Sequence, residues 1–106
     1  MVFVETDIFT QVIRFLISDE EYSDLQLMLI RDPKAGDLIP GGRGLRKVRW
    51  ASQERQKGKR GGIRVIYYIR SANFLYMIFA YGKHRQDDLT SKQLKVLTEY
   101  VRRGVI

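Results

Sequence analysis

The first third of the chain carries two stretches in which apolar residues recur every three or four positions, which is the spacing of an amphipathic helix. The first stripe consists of Ile8, Phe9, Val12, Ile13 and Leu16. Thr6 or Asp7 can cap this helix, and the β-branched stretch before it, Val2 to Glu5, predicts a short first strand. The pattern therefore predicts a strand followed by a helix.

A second helix is predicted to begin after Ser18, because Ser18 and Glu21 have the spacing of a capping box. Its buried face would consist of Tyr22, Leu25, Met28 and Leu29. Pro33 would end it, so that the two helices form an antiparallel hairpin. Residues 34–44 are rich in glycine and are predicted to form a loop.

From Leu45 the period of the pattern changes to two, which indicates strands. In Leu45 to Trp50, Val48 and Trp50 can face a core while Lys47 and Arg49 share the opposite face. Two further strands are predicted, with a polar loop before the first and a short turn between them. The loop is Gln53 to Gly62, and the strands are Ile63 to Arg70 and Phe74 to Tyr81.

The last of these strands is apolar at nearly every position, which suits a central strand covered on both faces. Thr90 and Gln93 form a second capping-box pattern at the start of a final helix, which Gly104 can end. The apolar face of that helix consists of Leu94, Leu97, Tyr100 and Val101. The order β-α-α-β-β-β-α predicts an α+β fold, with a helical hairpin packed on a small antiparallel sheet.

The length and composition limit the classes of protein that this chain can form. Its 106 residues suit one domain, residues 1–106, and the lack of cysteine excludes disulfides and thiolate zinc sites. The longest apolar run has eight residues, whereas a membrane span needs about twenty. Because the N-terminus also lacks a signal-peptide pattern, we expect a cytoplasmic protein with no membrane association, metal or cofactor.

The positive charge is concentrated in the middle of the chain. The net charge is +7 overall, but −5 in residues 1–32 and +11 in residues 33–86. Nine basic residues stand in positions 43–64 against a single acid: Arg43, Arg46, Lys47, Arg49, Arg55, Lys57, Lys59, Arg60 and Arg64. Such a block favours a polyanionic partner, since Lys and Arg release counterions from phosphates, although it is also compatible with a solvated surface.

Other catalytic patterns are weak. No G-x-S-x-G motif surrounds a serine, and the glycines at 41–44 lack the spacing of a phosphate-binding loop. Asp87 and Asp88 could bind magnesium, but adjacent carboxylates before Thr90 are more typical of helix N-terminal charges. Tyr67, Tyr68, Tyr76 and Tyr81 could stack bases, although core packing is the more common role.

Basic residues are expected to converge where two strands meet. In an antiparallel pair, the strand after Gly62 and the strand ending at Tyr81 lie head to tail, which brings Arg64 near residues 81–83. Cleavage of RNA through its 2′-hydroxyl needs a proton acceptor, a proton donor and cations for the developing charge, but no metal. His84 has a suitable ordinary pKa, yet the sequence offers no clear carboxylate base for this pocket.

These same segments resemble the RelE/HigB superfamily of bacterial toxins, in particular the HigB branch related to phage Gp49-like proteins. The similarity rests on the run LRKVRW at 45–50, the strand GIRVIYY at 62–68, the apolar strand ending YGK at 81–83, and DLT at 88–90. It implies a microbial-RNase-like fold. It also implies a type II toxin that cleaves mRNA on the 70S ribosome and is silenced by an antitoxin, often a helix-turn-helix protein.

The resemblance implies roles for residues as well. The family's basic pair falls on Lys47 and Arg49, its strand-opening arginine on Arg64, and its later basic position on Lys83, His84 or Arg85. Where RelE carries a tyrosine, this chain has Thr90. We expect the remaining basic residues to bind RNA or ribosome: Arg43, Arg46, Arg55, Lys57, Lys59 and Arg60. The sequence thus favours an mRNA endoribonuclease (mRNA interferase) over a non-catalytic RNA- or ribosome-binding module, or a superfamily member that acts only as part of a repressor.

Overall fold

The computed structural model describes residues 1–51, 62–83 and 85–104. Its helices are α1 (Asp7–Leu16), α2 (Asp19–Arg31) and α3 (Ser91–Arg102). Its strands are β1 (Val2–Glu5), β2 (Asp37–Leu38), β3 (Leu45–Trp50), β4 (Ile63–Ser71) and β5 (Phe74–Gly82). The predicted α+β class is confirmed.

Side chains cap the three helices as the sequence predicts. The hydroxyl of Thr6 accepts a hydrogen bond from the Phe9 amide, and that of Ser18 accepts one from the Glu21 amide. At α3 the reciprocal capping box is complete, because Thr90 and Gln93 exchange both hydrogen bonds. These caps satisfy amides that have no partner inside the helix, so the helices begin at the predicted residues.

The five strands form one sheet in the order β1-β5-β4-β3-β2. The prediction of an antiparallel sheet is wrong at one edge, because β1 pairs with β5 in parallel, with Val2 opposite Phe74. The chain leaves β1 through two helices and returns to the sheet at its opposite edge, as β2, and β3, β4 and β5 then fill the positions between the two edges. A second correction concerns residues 34–44, where β2 pairs with β3 inside the predicted loop.

Two apolar clusters cover the two faces of this sheet. On one face α1 and α2 pack Phe9, Leu25 and Leu29 against Val65 and Met77. On the other face α3 packs Leu97 against a cluster from three strands: Leu45, Ile66, Ile78 and Tyr81. Strand β5 contributes to both clusters, which confirms the prediction of a central strand covered on both sides.

A β-bulge lies within this doubly covered strand. Ile66 pairs with Phe79 while Tyr67 pairs with Met77, so Ile78 is the extra residue. The bulge shifts the alternation of faces by one residue, so that Ile78 and Phe79 both belong to the cluster under α3. Beyond the bulge, Tyr81 lies opposite Arg64.

Candidate functional site

Three strands present a row of polar side chains on the face that α3 covers. Arg49 of β3 lies opposite Arg64 of β4, and Arg64 lies opposite Tyr81 of β5. Residues directly opposite each other in antiparallel strands project from the same face of the sheet. Lys47, two residues before Arg49, shares that face and lies opposite Ile66. We call Lys47, Arg49 and Arg64 the basic cluster.

The three residues of the basic cluster differ in their exposure to solvent. Arg64 is only 5% exposed, and its Nη1 lies 3.5 Å from the Ile63 carbonyl oxygen. The side chain of Lys47 is 24% exposed, while Arg49 is exposed. Arg64 is thus the most deeply buried of the three cations, Lys47 is partly exposed, and Arg49 is exposed to solvent.

The register places two arginines directly opposite each other. Directly opposed side chains in a sheet have Cβ atoms about 5 Å apart, so Arg49 and Arg64 bring two positive charges to one part of the face. Within the described part of the chain, Arg49 makes no ion pair. Such a concentration of positive charge suits an anion, since arginine binds phosphate oxygens through two parallel hydrogen bonds.

Asp88 adds a carboxylate to the cluster. Its Oδ1 accepts hydrogen bonds from Lys47 Nζ at 3.1 Å, from the Tyr81 hydroxyl at 3.4 Å and from the Leu89 amide at 2.8 Å. The hydrogen bond from Lys47 is the main reason that the pKa of Asp88 lies below its usual range. Asp88 is therefore ionised at neutral pH and ties β3 and β5 to the segment before α3.

The pocket thus contains a carboxylate, which the sequence did not indicate. Asp87 and Asp88 stand just before the N-cap of α3, outside its first turn, and each pairs with a lysine. Asp87 contacts Lys83 Nζ at 2.6 Å. That hydrogen bond lowers the pKa of the Asp87 carboxyl.

Tyr81 lies beneath this arrangement and is 5% exposed. Burial, reinforced by the charge of Asp88 and the hydrogen bond to it, raises the pKa of the Tyr81 hydroxyl to about 12. Tyr81 consequently keeps its proton at neutral pH and acts as a hydrogen-bond donor to Asp88.

Two members of the basic cluster, Lys47 and Arg49, line a cleft of about 560 Å³, whereas Arg64 lies below it. Lys47, Arg49 and Asp88 form one wall, and residues 37–40, which include the acid Asp37, form the other. The second wall includes β2, the strand that the sequence analysis did not predict. The two cations suit a phosphate-bearing ligand, while the carboxylates of Asp88 and Asp37 oppose its negative charge.

Gly62 sets the geometry at the start of β4. Its φ is +61°, and a Cβ added there would lie 2.1 Å from the Trp50 carbonyl oxygen. The Gly62 carbonyl in turn accepts a hydrogen bond from the Lys83 amide at 3.0 Å. Only glycine permits this close approach, which places the ends of β3, β4 and β5 side by side, as the sequence predicted for Arg64 and residues 81–83.

Two residues predicted to bind RNA lie away from the cluster. Arg46 pairs across the sheet with Tyr67, on the opposite face, and its Nη1 donates to the Gly36 carbonyl at 2.7 Å. Arg43 lies in the turn before β3 with φ +55°, at the end of the β3–β4 ladder remote from Arg49. The basic block in the sequence is thus divided between two faces and two ends of the sheet.

The other predicted site residues fall into two groups. Lys83 and Arg85 follow β5 at the edge of the site, where Lys83 is half-buried and Arg85 is exposed. The predictions for His84 and for the loop residues lie outside the described residues; the loop residues are Arg55, Lys57, Lys59 and Arg60.

The tyrosines considered for base stacking lie on both faces of the sheet. Tyr67 is fully buried on the face of α1 and α2, where its hydroxyl donates to the Pro33 carbonyl at 2.6 Å and accepts from the Gly36 amide at 2.9 Å. That is a structural role and excludes base stacking. Tyr68 and Tyr76 are partly buried beside the α3 cluster.

A comparison of the sequence with models of known protein families finds no match. Among the described residues, no helix is long and apolar enough to cross a membrane. The same part of the chain contains no group of three or more histidine or acidic residues that could hold a metal ion.

Proposed function

We propose that this protein is a ribosome-dependent endoribonuclease of the RelE/HigB type, the toxin of a type II toxin–antitoxin pair. The observation that carries the proposal is the direct cross-strand opposition of Arg49 and Arg64, with Lys47 beside them on the same face. Two guanidinium groups and an ammonium on one part of one face suit the binding of a phosphodiester, which the basic middle third of the chain would attract.

In this proposal the substrate 2′-oxygen attacks the adjacent phosphorus, and the bond from phosphorus to the 5′-oxygen breaks. The 2′-hydroxyl gives up its proton, and the 5′-oxygen takes one, leaving a 2′,3′-cyclic phosphate and a 5′-hydroxyl. Lys47, Arg49 and Arg64 stabilise the negative charge that develops on the phosphoryl oxygens. His84, whose ordinary pKa suits proton transfer, is a candidate for one of these two proton transfers.

The ribosome has a specific part in this scheme. In the described part of the chain, the basic residues that line the cleft are Lys47 and Arg49, and two cations alone do little to hold a flexible RNA in the in-line geometry that the attack requires. The ribosome can supply that geometry by holding mRNA in the decoding site. We therefore expect efficient cleavage of ribosome-bound mRNA and poor cleavage of free RNA.

A non-catalytic RNA- or ribosome-binding module is the second candidate. The observation that favours it is the burial of Arg64, which leaves Lys47 and Arg49 as the accessible cations of the cluster. Such a module would bind ribosomes and block translation without cutting RNA.

The experiment that separates the two uses purified protein and ribosomes programmed with a short mRNA. The proposal predicts a defined cut whose upstream product ends in a cyclic phosphate, and no cut when the nucleotide before the scissile bond lacks its 2′-hydroxyl. Ribosome binding without a cut supports the module. Relief of growth arrest by a neighbouring helix-turn-helix gene tests the antitoxin.

A further inference from the structure

The carboxylate of Asp88 connects the basic cluster to the rest of the site. Its Oδ1 receives donors from three separate segments, namely Lys47 of β3, Tyr81 of β5 and the amide of Leu89. Among the described residues, all three contacts reach the same oxygen. Such convergence fixes the carboxylate in place, since each donor restricts it from a different direction.

A negative charge is unfavourable at a site that binds phosphate. Asp88 reduces the positive potential of the cleft and repels the phosphodiester that the cluster would hold. The side chain of Asp88 is 66% exposed, so packing of the core does not require it. Its presence is therefore better explained by what it does to Lys47 and Tyr81 than by binding or burial.

Lysine is the cation that most needs such an arrangement. Its ammonium is a compact charge on a flexible four-carbon stem, whereas the planar guanidinium of arginine is already organised for bidentate contact. Lys47 Nζ lies 3.1 Å from Asp88 Oδ1 and is only partly exposed. The contact with Asp88 selects one direction for the ammonium, toward the cleft that both residues line.

We propose that Asp88 is a positioning residue, which orients the Lys47 ammonium for the transition state at the cost of weaker substrate binding. This inference rests on the proposed endoribonuclease function. Asp88 was not among the predicted site residues, yet in this proposal the basic cluster needs it for catalysis. Its carboxylate raises the rate of cleavage and lowers the affinity for the substrate.

The test is single-turnover cleavage of mRNA on programmed ribosomes by Asp88→Asn. The maximal rate falls about tenfold, because loss of orientation of one catalytic group commonly costs one to two orders of magnitude. The protein concentration at half-maximal rate falls about twofold to threefold, because a charge that repels phosphate has been removed and salt limits the gain.

Asp37→Asn is the matched control. It removes the same charge from the opposite wall of the cleft, and in the described part of the chain no hydrogen bond or ion pair joins the Asp37 side chain to Lys47 or Tyr81. Its half-maximal concentration falls to a similar extent, while its maximal rate stays within about twofold of the parent.

A second readout follows the orientation directly, without cleavage. NMR spectra of the lysine ammonium groups detect Lys47 as slowly exchanging in the parent and in Asp37→Asn, and as rapidly exchanging in Asp88→Asn. An unchanged maximal rate or an unchanged Lys47 signal in Asp88→Asn overturns the positioning role, as does a parallel loss of rate, affinity and thermal stability. A parent protein that cuts no mRNA overturns instead the function on which the inference rests.

Discussion

The two faces of the sheet differ in the charged residues that they carry. The face under α1 and α2 is closed mainly by apolar side chains, from Ile63 and Val48 to Leu75, although β3 also places Arg46 on it. The face under α3 is apolar near Leu45 and Ile66 but carries the basic cluster near Arg64. One sheet thus provides stability on one side and a candidate site at one end of the other.

The lengths of the elements explain this difference. The 12 residues of α3 extend about 18 Å, whereas the 9 residues of β4 extend about 30 Å. A single short helix cannot cover the whole face, while α1 and α2 together can. The uncovered end is where Lys47, Arg49 and Asp88 line the cleft.

The largest effect on stability is expected on the closed face. Leu25 is fully buried, and Leu25→Ala should lower the free energy of unfolding by about 2–5 kcal/mol, because it removes apolar contacts and leaves a cavity. Leu27→Ala is the control, since Leu27 lies on the same helix and is 49% exposed. Urea titration of both variants measures the difference, and equal losses would contradict the assignment of that face to the core.

A smaller loss is expected from Tyr67→Phe. The variant leaves the Pro33 carbonyl and the buried Gly36 amide without their partner, which should cost about 1–3 kcal/mol. Tyr68→Phe, on the neighbouring position and the opposite face, should change stability by less than about 0.5 kcal/mol. A loss of RNA cleavage in folded Tyr67→Phe would give that tyrosine a functional role that its burial argues against.

The sequence predicts the helices of this fold more accurately than the pairing of its strands. Periodicity and capping patterns predict α1, α2 and α3 to within a residue or two, because those signals are local. The strand β2 has only two residues and no local pattern, and the parallel pairing of β1 depends on contacts far apart in the chain. Local sequence patterns therefore predict neither feature, and only the structure shows them.

The candidate site, too, could be predicted from the sequence only in part. Alternation along β3 places Lys47 and Arg49 on one face, and strand pairing brings Arg64 close to Tyr81, as predicted. Asp88 was missed as a site residue, since 41 positions separate it from Lys47 and nothing in the sequence links them. Its position just before the Thr90 cap favoured the interpretation as a helix N-terminal charge, which gives no indication of the contact with Lys47.

Arg49 tests whether the open end of the sheet contacts phosphate. Arg49→Gln should weaken ribosome binding and reduce the slope of log affinity against log salt by about 0.7–0.9, the contribution of one phosphate contact. Arg14→Gln removes an exposed charge from α1 and should leave the slope unchanged. Binding constants at two or more salt concentrations decide this, and equal slopes for the two variants would place the ribosome contact elsewhere.

The smallest expected effect is the response of stability to acid. The pKa values of Asp87 and Asp88 are lowered in the folded state, so their contacts stabilise the fold above about pH 4 and lose that contribution as the pH falls further. The loss of melting temperature between pH 6 and pH 3 should therefore be slightly smaller in Asp88→Asn than in the parent. Asp24→Asn, an exposed acid on α2, is the control, and an equal reduction there would contradict the role of the Lys47 contact.

The most direct test of the central claim compares two arginines of β4. Arg64 lies in the basic cluster, whereas Arg70 is exposed at the far end of the same strand. Cleavage of mRNA on programmed ribosomes should slow about 10²–10³-fold in Arg64→Gln, the usual effect of losing one donor to a developing charge, and less than about threefold in Arg70→Gln. Circular dichroism confirms folding, and if Arg64→Gln is unstable, the exposed Arg49→Gln takes its place. A folded Arg64→Gln that cleaves at the parent rate would contradict the proposal that this cluster is the active site.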